Sequence, residues 1–214
     1  MDLKIIYEDE QLLVCYKPAG VATQTKRLGQ QDMESLLKNN RASKGEPSYI
    51  GVVHRLDQPV EGVMVFAKTK EAASDMSRQV QMKEADKFYY AVTDGVPVEK
   101  TGSLEDYLLR DGRTNTSKVV KEGTAGAKKA RLSYEVIAED GTHAILKIQL
   151  DTGRHHQIRV QLANAGYPIV GDRKYNANSS ATLGDHLKLC SYKIGFVHPK
   201  THKKMEFEIE NPYA

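Results

Sequence analysis

The chain of 214 residues predicts an α+β fold built on a mixed, largely antiparallel sheet. Two observations lead there. Short runs of β-branched, aromatic and aliphatic residues, each closed by turn residues, outnumber segments with helical periodicity. Those strands do not alternate regularly with the helices. The length allows one domain with a real core, or two small lobes sharing one. Hydrophobic residues make up 40% and charged residues 28%, the balance of an ordinary soluble globular protein.

The elements follow in order. Within LKIIYEDEQLLVCYKPAG, residues 3–7 and 11–16 read as two strands joined by an acidic turn, the second ended by Pro18 to Gly20. Residues 31–42 favour a short helix burying Met33, Leu36 and Leu37. Strands are expected at about 48–54 and 62–68. Thr69 is placed to cap a helix over 70–82, whose Ala72, Ala73, Met76 and Val80 form one stripe. KFYYAVTDG, residues 87–95, is the next strand, rich in aromatic and β-branched residues. Later strands fall at 131–138, 143–150, 187–192 and 204–210. Between them, GRHHQIRVQLANAG (153–166) sets Ile158, Leu162 and Ala165 at helical spacing, with Gly166 placed to end the helix.

The stretch 110–131 is the loosest, with no clear period and seven basic residues (Arg110, Arg113, Lys118, Lys121, Lys128, Lys129, Arg131) against Asp111 and Glu122. It reads either as a solvated hairpin and loop or as a mobile basic arm that touches phosphates. The net charge of the whole chain is only +3, so local charge is more informative than the total.

Cys15 and Cys190 lie far apart, fit no metal spacing or disulfide framework, and sit in strand-like apolar stretches, as buried free thiols do. The first ten residues, MDLKIIYEDE, are acidic and lack an apolar signal core. No apolar run approaches the ~20 residues that a membrane-spanning helix needs. A cytoplasmic protein is the expectation.

Chemistry concentrates in two places. His54, Arg55 and Asp57 stand directly ahead of the apolar run Val63–Ala67. A carboxylate brought to the edge of a core is costly to desolvate unless something pairs with it. Arg154, His155, His156, Arg159, Arg173 and Lys174 form the second group. If the helix begins near 153, its free N–H groups add anion-binding capacity at the same end. Adjacent histidines are poorly spaced for one metal ion on a helix, so phosphate contact or structural hydrogen bonds is the better reading of His155 and His156.

Taken together, HRLD, the Tyr pair in KFYYAV, GRHHQIRV and GYPIVGDRKY resemble the RluA-type pseudouridine synthases. The likeness runs from IIYEDEQLLVCYKPAG to FVHP at 196–199, with the pieces in the family's order. It implies a single catalytic domain over 1–214, with a bent sheet, flanking helices and a central basic cleft. Asp57 matches the family's catalytic aspartate, Tyr89 its active-site tyrosine, and Arg159 the basic residue that pairs with the aspartate. Arg55 matches an arginine that handles the displaced RNA. His54, Arg154, His155, Lys128, Lys129 and Arg131 are the further expected RNA contacts.

The implied reaction breaks the uridine N1–C1′ bond, turns the base and rejoins it through C5. A carboxylate can attack covalently or remove a proton from the sugar. Either role needs the ionised form, which a permanently protonated Arg favours. Tyr89 offers an aromatic face for the base and a phenol that can hydrogen-bond or move a proton. No cofactor and no metal are expected. The expected partner is structured RNA, ribosomal or transfer, met by a monomer that does not engage membranes. No S4-type domain is expected ahead of the catalytic one, so RNA selection is expected from the catalytic domain itself, its basic arm or a partner.

Two positions depart from the family pattern. Glu61 stands where a small Ser or Thr is common, and Gln161 where a His often follows HQIRV. A non-catalytic RNA binder needs no buried carboxylate, and a carboxylate glycosidase usually needs two acids flanking its bond. Both rivals explain less of the motif set.

Overall fold

The run EGVMVFA is buried at every position, as a strand flanked by neighbours on both faces must be. In the computed structural model, which describes residues 3–25, 27, 29–177 and 186–214, the chain divides into two compact units. One comprises the residues up to Lys87 with Ser191–Glu210; the other comprises Phe88–Cys190 with Asn211–Ala214.

In the first unit, β1 (Lys4–Glu8) and β2 (Leu12–Lys17) form an antiparallel hairpin. Asp9 closes its turn by accepting the N–H groups of Gln11 and Leu12, both at 2.7 Å. Helix α1 (Met33–Ser43) begins at Asp32, whose carboxylate accepts the Ser35 N–H at 2.8 Å. β3 (Gly51–Val52) and β2 both pair antiparallel with β4 (Glu61–Ala67). Helix α2 (Lys70–Met82) starts as expected at Thr69, whose hydroxyl accepts the Ala72 N–H at 3.1 Å. Its Ala72 and Met76 are buried in a core with Leu12, Val14, Val63, Val65, Ile194 and Phe196. Burial of each large apolar side chain stabilises by roughly 1.5–3 kcal/mol, so packing, more than propensity, holds α2.

The second unit is an antiparallel sheet with strand order β5-β9-β8-β6-β7. Its strands are β5 (Asp86–Asp94, the division falling inside it), β6 (Thr101–Asp111), β7 (Thr116–Val120), β8 (Lys128–Glu139) and β9 (His143–Leu150). Helix α3 (Gln157–Asn164) lies against β6 and β7 and is buried on nearly all sides. The chain then returns to the first unit through β10 (Leu189–Val197) and β11 (Lys204–Glu208), an antiparallel hairpin.

One glycine decides how closely β10 approaches β4. Gly62 has φ of +125°, and a Cβ there would lie 2.2 Å from the Ser191 carbonyl oxygen. No side chain fits, so this register requires glycine.

Three expectations change. The basic stretch 110–131 takes the hairpin-and-loop reading and not that of a mobile arm: half of it is strand, ending β6, forming β7 and starting β8, with β6 and β7 paired antiparallel. Its alternation is masked because Leu108 is the one buried residue of β6 and Ser117 that of β7, so neither strand shows a buried apolar period. Helix α3 begins at Gln157 rather than near 153, because His156 adopts a left-handed conformation with φ of 55°. The strand expected at 48–54 shrinks to Gly51–Val52. No helix among the described residues is long and apolar enough to cross a membrane.

Candidate active site

In the first unit, the residues on either side of Asp57 are tied to the segment 17–23. Leu56 exchanges two hydrogen bonds with Thr23: its carbonyl accepts from the hydroxyl at 2.9 Å and its N–H donates back at 3.2 Å. The Gln58 carbonyl accepts from the Gly20 N–H at 2.9 Å and from the Lys17 ammonium at 3.1 Å, and its side chain donates to the Gly20 carbonyl at 2.9 Å. The Asp57 carbonyl accepts the Val60 N–H at 3.0 Å, closing a turn. Asp57 itself is half-buried on this pinned loop, and Arg55 is exposed.

Lys17 was not singled out in the sequence, yet it is 0% exposed. Its ammonium donates to the carbonyls of Pro18 (3.1 Å), Val21 (2.6 Å) and Gln58 (3.1 Å). Burial pushes its pKa down to about 8, against the pull of the Asp57 and Glu61 carboxylates. A cation in the same unit therefore acts on Asp57. The available signal was strand alternation: Lys17 shares a face with Leu13 and Cys15, which are wholly buried.

Glu61, the departure from the family pattern, is buried and accepts the Tyr16 hydroxyl at 2.7 Å. His54 accepts the Val65 N–H on Nε2 at 3.1 Å, so that nitrogen carries no proton. Burial, with the nearby Lys87, pushes its pKa down to about 3. A neutral imidazole bonded to β4 fixes the start of the Asp57 loop, a role beside the RNA contact expected of it.

In the second unit, Arg159 is 4% exposed and Asp172 0%. The guanidinium donates from Nε to Oδ2 at 2.8 Å and from Nη2 to Oδ1 at 2.7 Å. His155 and His156 precede α3 instead of lying on it, and their rings stack with centroids 3.8 Å apart. The Ser117 hydroxyl bonds to the His155 carbonyl and ring Nδ1, both at 2.9 Å. Gln157, not the helix N-terminus, organises the approach to α3: its Oε1 accepts from the Thr152 hydroxyl at 2.8 Å and the Arg154 N–H at 3.0 Å. With the helix starting at Gln157, its first N–H groups no longer lie near 153, and the Arg154 N–H is taken by Gln157.

Of the expected RNA contacts on β8, Lys129 pairs with Glu105 at 2.7 Å and Arg131 with Asp151 at 3.1 Å. Glu105 sits directly across from Arg131 in the β6–β8 register. Both acids lie outside the stretch 110–131, so its surface is less basic than its composition. Lys128 is exposed, and Arg154 donates from Nε to the Lys129 carbonyl at 2.9 Å. Tyr89 and its neighbour Tyr90 are both buried on β5. Among the described residues no group of three or more His, Cys, Asp or Glu is arranged to hold a metal ion.

A family model described as RNA pseudouridylate synthase matches residues 11–164. The chain belongs to the RNA pseudouridine synthase family. This synthase is an isomerase acting on RNA. It is 34% identical over 98% of its length to an uncharacterized RNA pseudouridine synthase of Aquifex aeolicus (strain VF5), covering 70% of that protein. It is 32% identical over 92% of its length to the dual-specificity RNA pseudouridine synthase RluA of Vibrio parahaemolyticus, covering 79% of it. The fold of human RNA pseudouridylate synthase domain containing 4 superposes with a TM-score of 0.82 at 22% identity, covering 98% of this chain and 89% of that one. The stretch matched by the family model includes Lys17, Asp57, Tyr89 and Arg159, while Asp172 lies beyond it.

Proposed function

We propose that this synthase converts specific uridines in structured ribosomal or transfer RNA to pseudouridine, with Asp57 as the group that acts on the target nucleotide. The observation that carries the reading is the pinning of Leu56 and Gln58 to the segment 17–23, which holds a half-buried carboxylate between two fixed residues with a buried ammonium acting on it. Such preorganisation is what a positioned nucleophile or base requires.

In this reading Tyr89 supplies the phenol and aromatic face beside the base, and Arg159 is the counter-charge of Asp57. Taking the target uridine out of its stack costs a few kcal/mol, and Arg55, exposed on the same loop as Asp57, offsets part of that by entering the vacated space or stacking on a neighbouring base. The bond from N1 to C1′ breaks, the base turns, and C5 bonds to C1′ while its proton is lost and N1 gains one. Lys128 and its neighbours on β8, with Arg154 and His155, contact the RNA backbone. The protein works as a monomer in the cytoplasm, without a cofactor.

The likeness to relatives named ribosomal large subunit pseudouridine synthase D and dual-specificity RNA pseudouridine synthase RluA supports a ribosomal or transfer RNA substrate. The test is a map of pseudouridines in total RNA from cells lacking the protein against cells that have it. One or a few positions should return to uridine and be restored by a wild-type copy; an identical map contradicts the proposal.

A further inference from the structure

The guanidinium of Arg159 is held along one edge and on one face. Asp172 takes the Nε and Nη2 hydrogens on separate carboxylate oxygens, at 2.8 and 2.7 Å. The Tyr175 ring lies 5.2 Å from its central carbon, a cation–π distance. Each of these two partners is itself fixed. Asp172 Oδ1 also accepts the N–H groups of Lys174 at 2.9 Å and Tyr175 at 3.2 Å. The glycine before it, Gly171, has φ of +75°, and a Cβ there would sit 2.5 Å from the His186 carbonyl oxygen, so the backbone that delivers Asp172 is pressed against another segment.

Tyr175 is clamped at its hydroxyl. The Ser117 N–H donates to that oxygen at 2.7 Å, so the phenolic proton is left for His156 Nδ1, 2.8 Å away. That bond needs a neutral imidazole, and burial, with Arg159 and other cations nearby, keeps His156 uncharged. The left-handed backbone at His156 turns its ring towards Tyr175, which meets it edge-on with centroids 5.6 Å apart.

We infer that Asp172 and Tyr175 are positioning residues for Arg159, fixing the direction in which its other N–H groups are presented. The buried pair carries no net formal charge, so its contribution is oriented hydrogen-bond donors rather than a diffuse positive field. The inference rests on the proposed role of Arg159 as counter-charge at the active site. A purely structural ion pair is the alternative, and it makes different demands on kinetics.

The test uses single-turnover conversion of a transcript that the wild-type protein modifies, with RNA affinity measured in parallel, for Asp172→Asn, Arg159→Lys, the double variant and Tyr175→Phe. A misdirected guanidinium should lower the rate constant of Asp172→Asn by about 10- to 100-fold while Kd stays within about threefold. The double variant should be no slower than the slower single variant, because both changes act through one group. Tyr175→Phe, which keeps the ring and loses only the hydroxyl, should lower the rate constant in the same direction by a smaller factor.

A structural role alone would reduce the fraction of active protein, read as reaction amplitude, and leave the rate constant of the folded fraction at the wild-type value. That result, or losses that multiply in the double variant, overturns the inference. If Asp172→Asn does not fold, a wild-type rate constant in Tyr175→Phe overturns it instead. Arg159→Ala separates the two levels: if it converts RNA at the wild-type rate, the counter-charge reading fails, whereas if it is slow and Asp172→Asn is not, only the positioning inference fails.

Discussion

The ammonium of Lys17 donates to the carbonyl of Gln58 at 3.1 Å, and Gln58 is the residue that follows Asp57. A lysine at the end of a buried strand is thus the tie between the first hairpin and the loop of the proposed catalytic carboxylate. Its three carbonyl acceptors belong to two separate stretches of chain.

Replacing Lys17 with Met removes those bonds while keeping most of the volume. Carbonyls left without a partner cost about 1–3 kcal/mol each, and relief of the buried charge offsets part of that. A net loss of about 2 kcal/mol in urea unfolding is expected. Unchanged stability would mean that the loop is held without Lys17.

Gly62→Ala should be worse. Its Cβ would meet the Ser191 backbone, and φ of +125° suits no side chain. A loss above about 3 kcal/mol is expected from overpacking against rigid backbone, read as a lower urea midpoint or failure to accumulate. Wild-type stability in this variant would contradict the β4–β10 register.

His54 and His156 give the fold a defined acid sensitivity. Burial depresses both, to about 3 and about 2. As pH falls below about 6.5, the unfolded chain takes up protons that the native state refuses. Stability is therefore intact above that value and is lost on the acid side, by up to about 2 kcal/mol per histidine between pH 7 and pH 5. His54→Asn should show a shallower decline over that interval than the wild type. Parallel declines would mean that His54 protonates normally.

The basic strand β8 makes a prediction about salt. Removing the charges of Lys128, Lys129 and Arg131 should weaken RNA binding and flatten the dependence of log Kd on log salt. Because Glu105 already pairs with Lys129, Glu105→Gln should act in the opposite direction and tighten binding. An unchanged slope in the triple variant would return these residues to a solvated surface.

How much of this was readable in advance depends on where the signal lay. Helix α2 was legible to the residue, because a capping Thr69 and a stripe of Ala72 and Met76 agree. β9 was legible because His143–Leu150 alternates buried and half-buried positions. β6 and β7 were not, since polar and charged residues occupy most of their exposed faces and a charge run hides the strand period. Asp57 and Arg159 stood out through their motifs. Lys17 did not, because nothing in its neighbours announces that an ammonium will be satisfied by carbonyls. Nor did the partnership of Arg159 with Asp172, which joins residues 13 apart in sequence through the turn following α3. Left-handed His156 displaced the helix start; histidine is enriched at positive φ, but too weakly to mark this position in advance.

The most direct measurement is single-turnover pseudouridine formation by Asp57→Ala on a transcript that the wild-type protein converts, with RNA affinity followed in the same samples. The expected result is a rate reduced by at least about a thousandfold, the scale of losing the central acid–base or nucleophilic group, with affinity within about threefold of wild type. Product appearing at close to the wild-type rate would contradict the assignment of Asp57 and, with it, the account of the active site.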